Sequence, residues 1–130
     1  MSHSILLVDD NEMNLKLAQD ILVASGYEVR AAALGEQAVE MARARRPDLI
    51  LLDIRLPDID GLEVLRRLRS FPEMKDVPIV AMTAQAMPDE IESFVAAGCD
   101  GYIQKPISLK TFRAEVQRHL TASAGGPPQA

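Results

Sequence analysis

Three acidic residues follow two strongly apolar segments of the chain. Asp9 and Asp10 come directly after the segment 5–8, and Asp53 comes directly after the segment 49–52. Apolar runs of this length are typical of strands buried on both faces of a parallel sheet. Chemistry in such sheets collects beyond the carboxyl ends of the strands, so neighbouring strands would bring the three carboxylates together. Like charges that close need a positive partner, and a hard divalent cation such as Mg²⁺ suits oxygen ligands. The pattern therefore predicts a metal-binding acidic site.

Further polar groups follow two other predicted strands. Thr83 and Ala84 follow a strand predicted over 78–82, and Lys105 follows one predicted over 101–104. The hydroxyl of Thr83 can donate a hydrogen bond to a phosphoryl oxygen, and the ammonium of Lys105 can serve as its counter-ion. Ala84 leaves space where a larger side chain would block access. Together with the acids, these residues favour phosphate chemistry.

The bulk composition excludes several classes of protein. The chain has 130 residues, 48% of them hydrophobic, which suits one globular domain with a full core. A net charge of −5 argues against nonspecific binding to nucleic acids or membrane surfaces. Cys99 is the single cysteine, so no intrachain disulfide can form. Without a signal-peptide layout or an apolar run of membrane-spanning length, we expect a cytoplasmic protein.

Strand and helix patterns alternate five times along the sequence. This alternation predicts a single α/β domain with a doubly wound sheet, right-handed crossovers and helices on both faces. The domain is expected over residues 1–122. Residues 123–130 are rich in glycine and proline and are expected to form a disordered tail or a linker stub.

The 3.6-residue period of a helix assigns apolar and polar faces. In the first and last helices, the positions expected to face the core are Leu17, Ala18, Ile21, Leu22, Leu109, Phe112, Val116 and Leu120. The basic and imidazole side chains expected on solvated surfaces are His3, Arg66, Arg67, Arg69 and His119. Cys99 is expected to be a small core residue.

Five motifs, taken in chain order, resemble those of response-regulator receiver domains. They are Val8-Asp9-Asp10-Asn11, Leu52-Asp53-Ile54-Arg55-Leu56-Pro57, Asp60-Gly61, Met82-Thr83-Ala84 and Lys105-Pro106. The likeness extends over about 4–120, and several ordered motifs are far more specific than one. Segments 11–14 and 105–107 are most similar to stand-alone cell-cycle regulators of the DivK type, and hybrid-kinase receivers are also similar there. The resemblance implies a flavodoxin-like parallel sheet with strand order 2-1-3-4-5.

The resemblance also implies a role for each acidic residue. Asp53 would be the phosphoacceptor, taking a phosphoryl group from a sensor histidine kinase or a histidine phosphotransfer protein. Asp10 would ligate Mg²⁺ directly and Asp9 largely through water, with Asp53 and the backbone carbonyl of Arg55 completing the protein ligands. Mn²⁺ would be a possible substitute. The domain would assist its own phosphorylation and dephosphorylation rather than act as a separate enzyme.

A conformational switch is implied by the same resemblance. Lys105 and Thr83 would hold the phosphoryl oxygens beside Ala84, and a cis peptide between Lys105 and Pro106 would fix the direction of the lysine. Movement of Thr83 toward the phosphoryl group would let Tyr102 rotate inward. The surface of the fourth helix, fifth strand and fifth helix would then change for a downstream protein target.

Several alternatives stay open at the level of sequence. Arg55 and Gln85 are possible modulators of the lifetime of the phosphorylated state. A haloacid-dehalogenase-like phosphatase also uses an aspartate nucleophile and Mg²⁺, but it needs a second acid where Arg55 stands. A receiver-like module that binds proteins without phosphorylation is the other alternative.

The wider context of the domain is also open. The chain starts at Met1, and no output domain follows residue 120. We therefore expect a stand-alone monomer or weak dimer that signals by protein binding, although the tail could also lead to a further domain. The sequence does not identify the partner kinase or the target.

Overall fold

The computed structural model describes residues 3–84, 87–105 and 107–123. Within them, strands and helices alternate as predicted, with a 3₁₀ turn at Pro72–Met74. The elements are β1 (Ser4–Val8), α1 (Glu12–Ala24), β2 (Glu28–Ala32), α2 (Gly35–Ala44), β3 (Leu49–Asp53), α3 (Gly61–Arg69), β4 (Ile79–Thr83), α4 (Pro88–Ala96), β5 (Gly101–Gln104) and α5 (Leu109–Ser123). Among these helices, none has the length and apolar character needed to cross a bilayer.

Three predictions fall wholly or partly outside the described residues. They concern Gln85, the peptide bond between Lys105 and Pro106, and the tail. Helix α5 continues through Ser123, and the rest of the tail lies beyond the described part of the chain. The domain boundary at residue 122 therefore stays a prediction.

The five strands form one parallel sheet in the order β2-β1-β3-β4-β5. This is the predicted flavodoxin-like arrangement. Its register places Val8 beside Leu52 and Asp53 beside Met82. The carboxyl ends of β1, β3 and β4 therefore lie in a row at one edge, which is where the sequence places its acidic and hydroxyl groups.

The core has two layers, one on each face of the sheet. Because successive strand side chains point to opposite faces, Ile5 and Leu7 pack toward α1 and α5, whereas Leu6 and Val8 pack toward α2, α3 and α4. Every residue of β1, β3 and β4 is buried. Each fully buried aliphatic side chain contributes about 1.5–3 kcal/mol, so these central strands form a rigid base for the groups at their ends.

Two residues expected in the core are exposed. Leu17 keeps 47% of its surface in solvent and Leu109 keeps 58%. The buried positions of α1 are Ala18, Ile21 and Leu22, and Leu17 lies about 40° beyond the edge of that arc at 100° per residue. Leu109 is the first residue of α5, almost a turn before the first buried position, Phe112.

His119 was expected in solvent, but it is buried, with 7% of its surface exposed. Its ring occupies space that a larger residue at position 101 would take, since a Cβ on Gly101 would lie 3.0 Å from the imidazole. Burial, and then the neighbouring Arg118, lower the pKa of His119. The glycine on β5 thus makes room for a largely neutral imidazole on α5.

Arg69 was expected on a solvated helix face and is instead largely enclosed, with 18% of its side chain exposed. Its guanidinium donates hydrogen bonds to the carbonyl oxygens of Gly98, Met74 and Val77 at 2.7–3.0 Å. It also forms an ion pair of 2.7 Å with Asp100. The prediction was wrong because the helical period of α3 says nothing of the segments that fold around Arg69, both the nearby turn after α3 and the residues between α4 and β5.

Candidate functional site

Three carboxylates converge at the carboxyl edge of the sheet, as the sequence predicts. Asp9 and Asp10 follow β1, and Asp53 is the last residue of β3. One oxygen from each carboxylate lies within 4.8 Å of the other two. Asp9 and Asp53 are buried, with 1% and 6% of their surfaces exposed, whereas Asp10 is exposed. The parallel pairing of β1 with β3 produces this cluster, because it aligns the ends of the two strands.

Lys105 joins the two buried carboxylates. Its Nζ donates a hydrogen bond of 2.9 Å to Oδ2 of Asp9 and one of 3.0 Å to Oδ2 of Asp53. The lysine follows β5, and its backbone N–H donates to the carbonyl of Thr83 at 2.7 Å, which ties it to the end of β4. The end of β5, two strands away from β3, therefore positions the ammonium of Lys105 at the cluster.

The remaining oxygen of each buried acid accepts a hydrogen bond from the loop that follows it. Oδ1 of Asp9 accepts from the backbone N–H of Asn11 at 2.9 Å, and Oδ1 of Asp53 accepts from that of Arg55 at 3.1 Å. Asn11 in turn caps α1, where its side chain accepts from the N–H of Asn14. These turns orient both carboxylates before any ligand binds.

Burial and hydrogen bonding act in opposite directions on the charged groups. Burial raises the pKa of Asp53 above its usual range, and the N–H of Arg55 and the ammonium of Lys105 only partly offset this effect. Burial would lower the pKa of Lys105, but its hydrogen bonds to Asp9 and Asp53 outweigh burial and raise it. Lys105 is therefore held in its charged form.

The donor set of this cluster fits a hard divalent cation. Its ligand atoms are carboxylate oxygens, the type that Mg²⁺ prefers. When ionised, the three described carboxylates and the single ammonium of Lys105 leave two negative charges without a partner inside the cluster. The exposed Asp10 lines a cleft of about 290 Å³, which gives room for an ion and its waters.

The other predicted site residues line the same cleft. They are Arg55, Thr83, Ala84 and Lys105, together with Asp10 and Asp53. Thr83 is buried, with 5% of its surface exposed, while Ala84 is exposed. Tyr102 lies elsewhere, on β5, where it is 47% exposed and lines a groove beside α5.

The loop between β3 and α3 is held close to the site by two contacts. The N–H of Gly61 donates to the carbonyl of Ile54 at 3.1 Å, and a Cβ on Gly61 would lie 2.5 Å from that oxygen. Asp58 accepts from the N–H groups of Gly35 and Glu36 at 2.8 and 3.0 Å. The loop is thus fixed both to the start of α3 and to the start of α2.

Two contacts near the site were missed at the level of sequence. Arg55 forms an ion pair of 3.7 Å with Glu90 in the first turn of α4. Asp58 caps α2 from a distant loop. A signal for the second contact was present, since Leu34 precedes α2 and has no side chain able to cap it. No comparable signal pointed to the pairing of Arg55 with Glu90.

Comparison with known proteins gives a consistent result. The response regulator receiver domain family matches residues 5–117. The chain is 43% identical to the polar-differentiation response regulator DivK of Brucella anthropi over 120 residues, which cover 92% of this chain and 98% of that protein. The DivK of Brucella ovis is 42% identical over the same shares of both chains.

Solved structures agree in fold. The chemotaxis protein CheY4 of Vibrio cholerae superposes with a TM-score of 0.89 at 29% identity, covering 92% of this chain and 99% of that chain. The receiver domain of a sensor histidine kinase from Pseudomonas aeruginosa PAO1 has a TM-score of 0.86 at 37% identity, covering 92% and 98%. That structure has a magnesium ion coordinated in its active-site cleft. With these matches and its buried acidic cluster, the chain belongs to the response regulator receiver domain family.

Proposed function

We propose that this receiver domain accepts a phosphoryl group on Asp53 in a Mg²⁺-dependent reaction and changes its binding surface in response. Receiver domains are phosphoacceptors of two-component signalling rather than classical enzymes. The observation that carries the proposal is the bridge from Lys105 Nζ to Asp9 and Asp53, beside the exposed Asp10. This arrangement orients one carboxylate as a nucleophile and keeps a cation next to it.

The proposed step is an in-line displacement at phosphorus. An oxygen of the Asp53 carboxylate forms a bond to phosphorus, and the P–N bond of the donor phosphohistidine breaks. The electron pair of that bond returns to the imidazole nitrogen, and the product is an acyl phosphate. Such transfers need little covalent help, so catalysis consists of positioning and charge neutralisation. The N–H of Arg55 and the ammonium of Lys105 position Asp53 for attack.

The protein groups proposed to hold Mg²⁺ are Asp9, Asp10, Asp53 and the backbone carbonyl of Arg55. Bound there, Mg²⁺ would neutralise the charge that gathers on the transferred group. The two unbalanced negative charges of the cluster, and the magnesium ion in the Pseudomonas aeruginosa receiver, support this assignment. Mn²⁺, with the same preference for oxygen ligands, is expected to substitute.

Lys105 and Thr83 are proposed to hold the phosphoryl oxygens, with Ala84 leaving space beside them. The added charge would draw the Thr83 hydroxyl toward the phosphoryl group, and Tyr102 would rotate from its half-exposed position toward the interior. The surface formed by α4, β5 and α5 would then fit a different set of partners. Arg55 and Gln85 are proposed to influence the lifetime of the acyl phosphate.

Receiver domains and DivK-type regulators work with histidine kinases and downstream targets. We propose a sensor histidine kinase or a histidine phosphotransfer protein as the donor and another protein as the target. The negative net charge of the chain is unfavourable for direct binding to nucleic acid. We also propose that the protein is a cytoplasmic monomer or weak dimer.

The test is a phosphorylation assay by intact mass. The protein is incubated with Mg²⁺ and acetyl phosphate, alongside the variant Asp53→Asn and a sample with chelator. We expect a gain of one phosphoryl group in the first sample alone, and we expect hydroxylamine to remove it, since acyl phosphates react with that nucleophile.

Beryllofluoride provides a second measurement that rapid hydrolysis cannot hide, because it mimics the phosphoryl group without reacting further. Binding that requires Mg²⁺ and Asp53 would support the proposal even where no mass adduct accumulates. Absence of both signals would contradict the proposal and favour a binding module that works without phosphorylation. A phosphatase of the haloacid-dehalogenase type is disfavoured, because the guanidinium of Arg55 does not release a proton to a leaving group near neutral pH and is paired with Glu90.

A further inference from the structure

Arg55 stands between two cavities. One is the acidic cleft that holds Asp53, and the other is a cavity of about 430 Å³ lined by the β3–α3 loop and by Glu90 of α4. Arg55 lines both, and its guanidinium forms the ion pair with Glu90 at 3.7 Å. A single long side chain therefore lies where it can interact with either side.

The ion pair is weak enough to be exchanged. The side chain of Arg55 is 75% exposed, and pairs of this kind contribute about 0–1 kcal/mol. No hydrogen bond within the described residues restrains the guanidinium, which is in contrast to the enclosed Arg69. Moving Arg55 away from Glu90 thus costs little.

Glu90 has no ion-pair partner other than Arg55 among the described residues. It lies in the first turn of α4, where the helix dipole favours an acidic side chain. One of its oxygens, Oε1, is buried without a hydrogen-bond partner among the described residues, and the other, Oε2, pairs with Arg55. Glu90 can therefore compete with another anion for the guanidinium of Arg55.

A phosphoryl group on Asp53 would compete for the same guanidinium. It brings about −1.5 to −2 charges and three strong acceptor oxygens, and arginine binds such groups with two parallel hydrogen bonds. We propose that Arg55 is an exchangeable counter-ion, paired with Glu90 in the unmodified protein and with the phosphoryl group afterwards. The exchange releases the β3–α3 loop from α4, and Glu90 opposes phosphoryl binding by holding Arg55 back. This inference rests on the proposed function.

A thermodynamic cycle on beryllofluoride binding tests the exchange. The dissociation constant is measured by fluorine NMR at saturating Mg²⁺ for the wild type, Arg55→Gln, Glu90→Gln and the double variant. Removing Glu90's charge should free Arg55 and tighten binding about three-fold, the size expected of an exposed ion pair. Arg55→Gln should weaken binding, and Glu90→Gln should then have no further effect. The backbone carbonyl of Arg55 is retained throughout.

The matched control is Glu92→Gln, which removes the same charge from an exposed position of the same helix. It should change the dissociation constant by less than about 1.5-fold, since it corrects for net charge alone. An equal effect of Glu90→Gln and Glu92→Gln would overturn the exchange, and so would a Glu90→Gln effect that persists in the Arg55→Gln background. Failure of the wild type to bind beryllofluoride at all would instead contradict the proposed function.

A second measurement needs neither metal nor phosphoryl mimic. Urea unfolding of the four proteins in chelator gives the coupling energy between Arg55 and Glu90 in the unmodified state. We expect a small favourable coupling, equivalent to about a two- to three-fold change in the unfolding equilibrium constant. A coupling of zero, together with an unchanged dissociation constant in Glu90→Gln, would overturn the exchange.

Discussion

Acidic residues occupy both edges of the sheet, but their partners differ. At the amino edge, Asp48 precedes β3 and accepts from the N–H of Ser4 at 2.7 Å. Asp100 precedes β5 and accepts from the N–H of Ile79 at 2.9 Å. Each of these acids joins one strand to the start of its neighbour. At the carboxyl edge, the acids instead lie against each other.

The cations of the two edges differ in the same way. Arg69, at the amino edge, donates to the carbonyl oxygens of four residues and to one carboxylate, namely those of Gly98, Met74, Lys75, Val77 and Asp100. Among the described residues, the ammonium of Lys105, at the carboxyl edge, donates to the carboxylates of Asp9 and Asp53, and a third carboxylate lies beside them. At the amino edge, backbone groups and ion pairs satisfy the charged side chains. At the carboxyl edge, three carboxylates share one ammonium.

This contrast explains why similar residue types support structure in one place and chemistry in the other. A carboxylate whose oxygens accept backbone hydrogen bonds at a strand start is already satisfied, and it adds stability. A group of carboxylates with too few cations costs stability, and that stability returns when a cation binds. The unbalanced edge is therefore the one able to respond to a ligand.

Removing Lys105 should have the largest effect on the chemistry proposed for the carboxyl edge. In Lys105→Met, the rate of labelling by acetyl phosphate should fall by about a hundred-fold, the usual loss when one preorganised charge partner is removed from a reacting group. Intact mass against time gives the rate, and circular dichroism checks the fold. Arg69→Met should change that rate by less than about three-fold, since it lies at the other edge. Equal losses in the two variants would contradict a separate role for each edge.

Removing Arg69 should affect stability instead. In Arg69→Met, several buried carbonyl groups lose their donor, and the free energy of unfolding should fall by about 3 kcal/mol. Urea denaturation monitored by circular dichroism gives the value. The matched control is Arg66→Met, since Arg66 is exposed on the same helix and its change should stay within about 0.5 kcal/mol. A loss below about 1 kcal/mol in Arg69→Met would show that the hydrogen bonds at the amino edge are dispensable.

Gly61 tests how firmly the carboxyl edge is held. A Cβ at this position would lie 2.5 Å from the carbonyl oxygen of Ile54, a backbone atom that cannot rotate away. Gly61→Ala should therefore lower the unfolding free energy by about 2 kcal/mol and also weaken Mg²⁺ binding, because the displaced backbone adjoins Asp53. Calorimetric titration with Mg²⁺ measures the second effect. In Gly35→Ala the new atom meets side chains of Ile59 and Val64, which can shift, so a smaller loss is expected.

The sequence predicted the features that depend on local pattern. Buried strands appear as apolar runs, so β1 and β3 were located, and with them the acids at their ends. The order of the strands followed from the family resemblance, since apolar runs alone do not say which strands are neighbours. The convergence of Asp9, Asp10 and Asp53 on one volume needed both pieces of information, and the structure confirms it.

The features that were missed depend on tertiary contacts rather than on the period of a strand or helix. Arg69 and His119 are residue types usually found on protein surfaces. Carbonyl groups surround the guanidinium of Arg69, and Gly101 leaves space for the ring of His119, so both side chains lie largely inside the protein. The pairing of Arg55 with Glu90 depends on how α4 packs beside the β3–α3 loop, which no periodic pattern encodes. Long-range packing thus decides the surroundings of a charged side chain, even where its element is predicted correctly.

Asp58 lies near the carboxyl edge, but like the acids of the amino edge it accepts hydrogen bonds from backbone N–H groups. Burial acts to raise its pKa, but the N–H groups of Glu36 and Gly35 outweigh this effect and lower it. A lowered pKa means that the carboxylate stabilises the fold fully above its unfolded pKa of about 3.9, and that this stability is lost as the pH falls through the folded value. Asp58→Ala should therefore cost about 0.5–1 kcal/mol at neutral pH, as for other exposed helix caps.

The difference in unfolding free energy between wild type and Asp58→Ala should be constant from about pH 5 to 8 and should shrink below about pH 4. Urea denaturation at a series of pH values measures it. Asp60→Ala is the matched control, since Asp60 caps α3 within the same loop through a single N–H, that of Leu62 at 3.1 Å. If the Asp58 difference did not depend on pH, the cap would act without its charge. Asp58 would then belong with neutral caps, and the contrast between the edges would rest on hydrogen bonds alone.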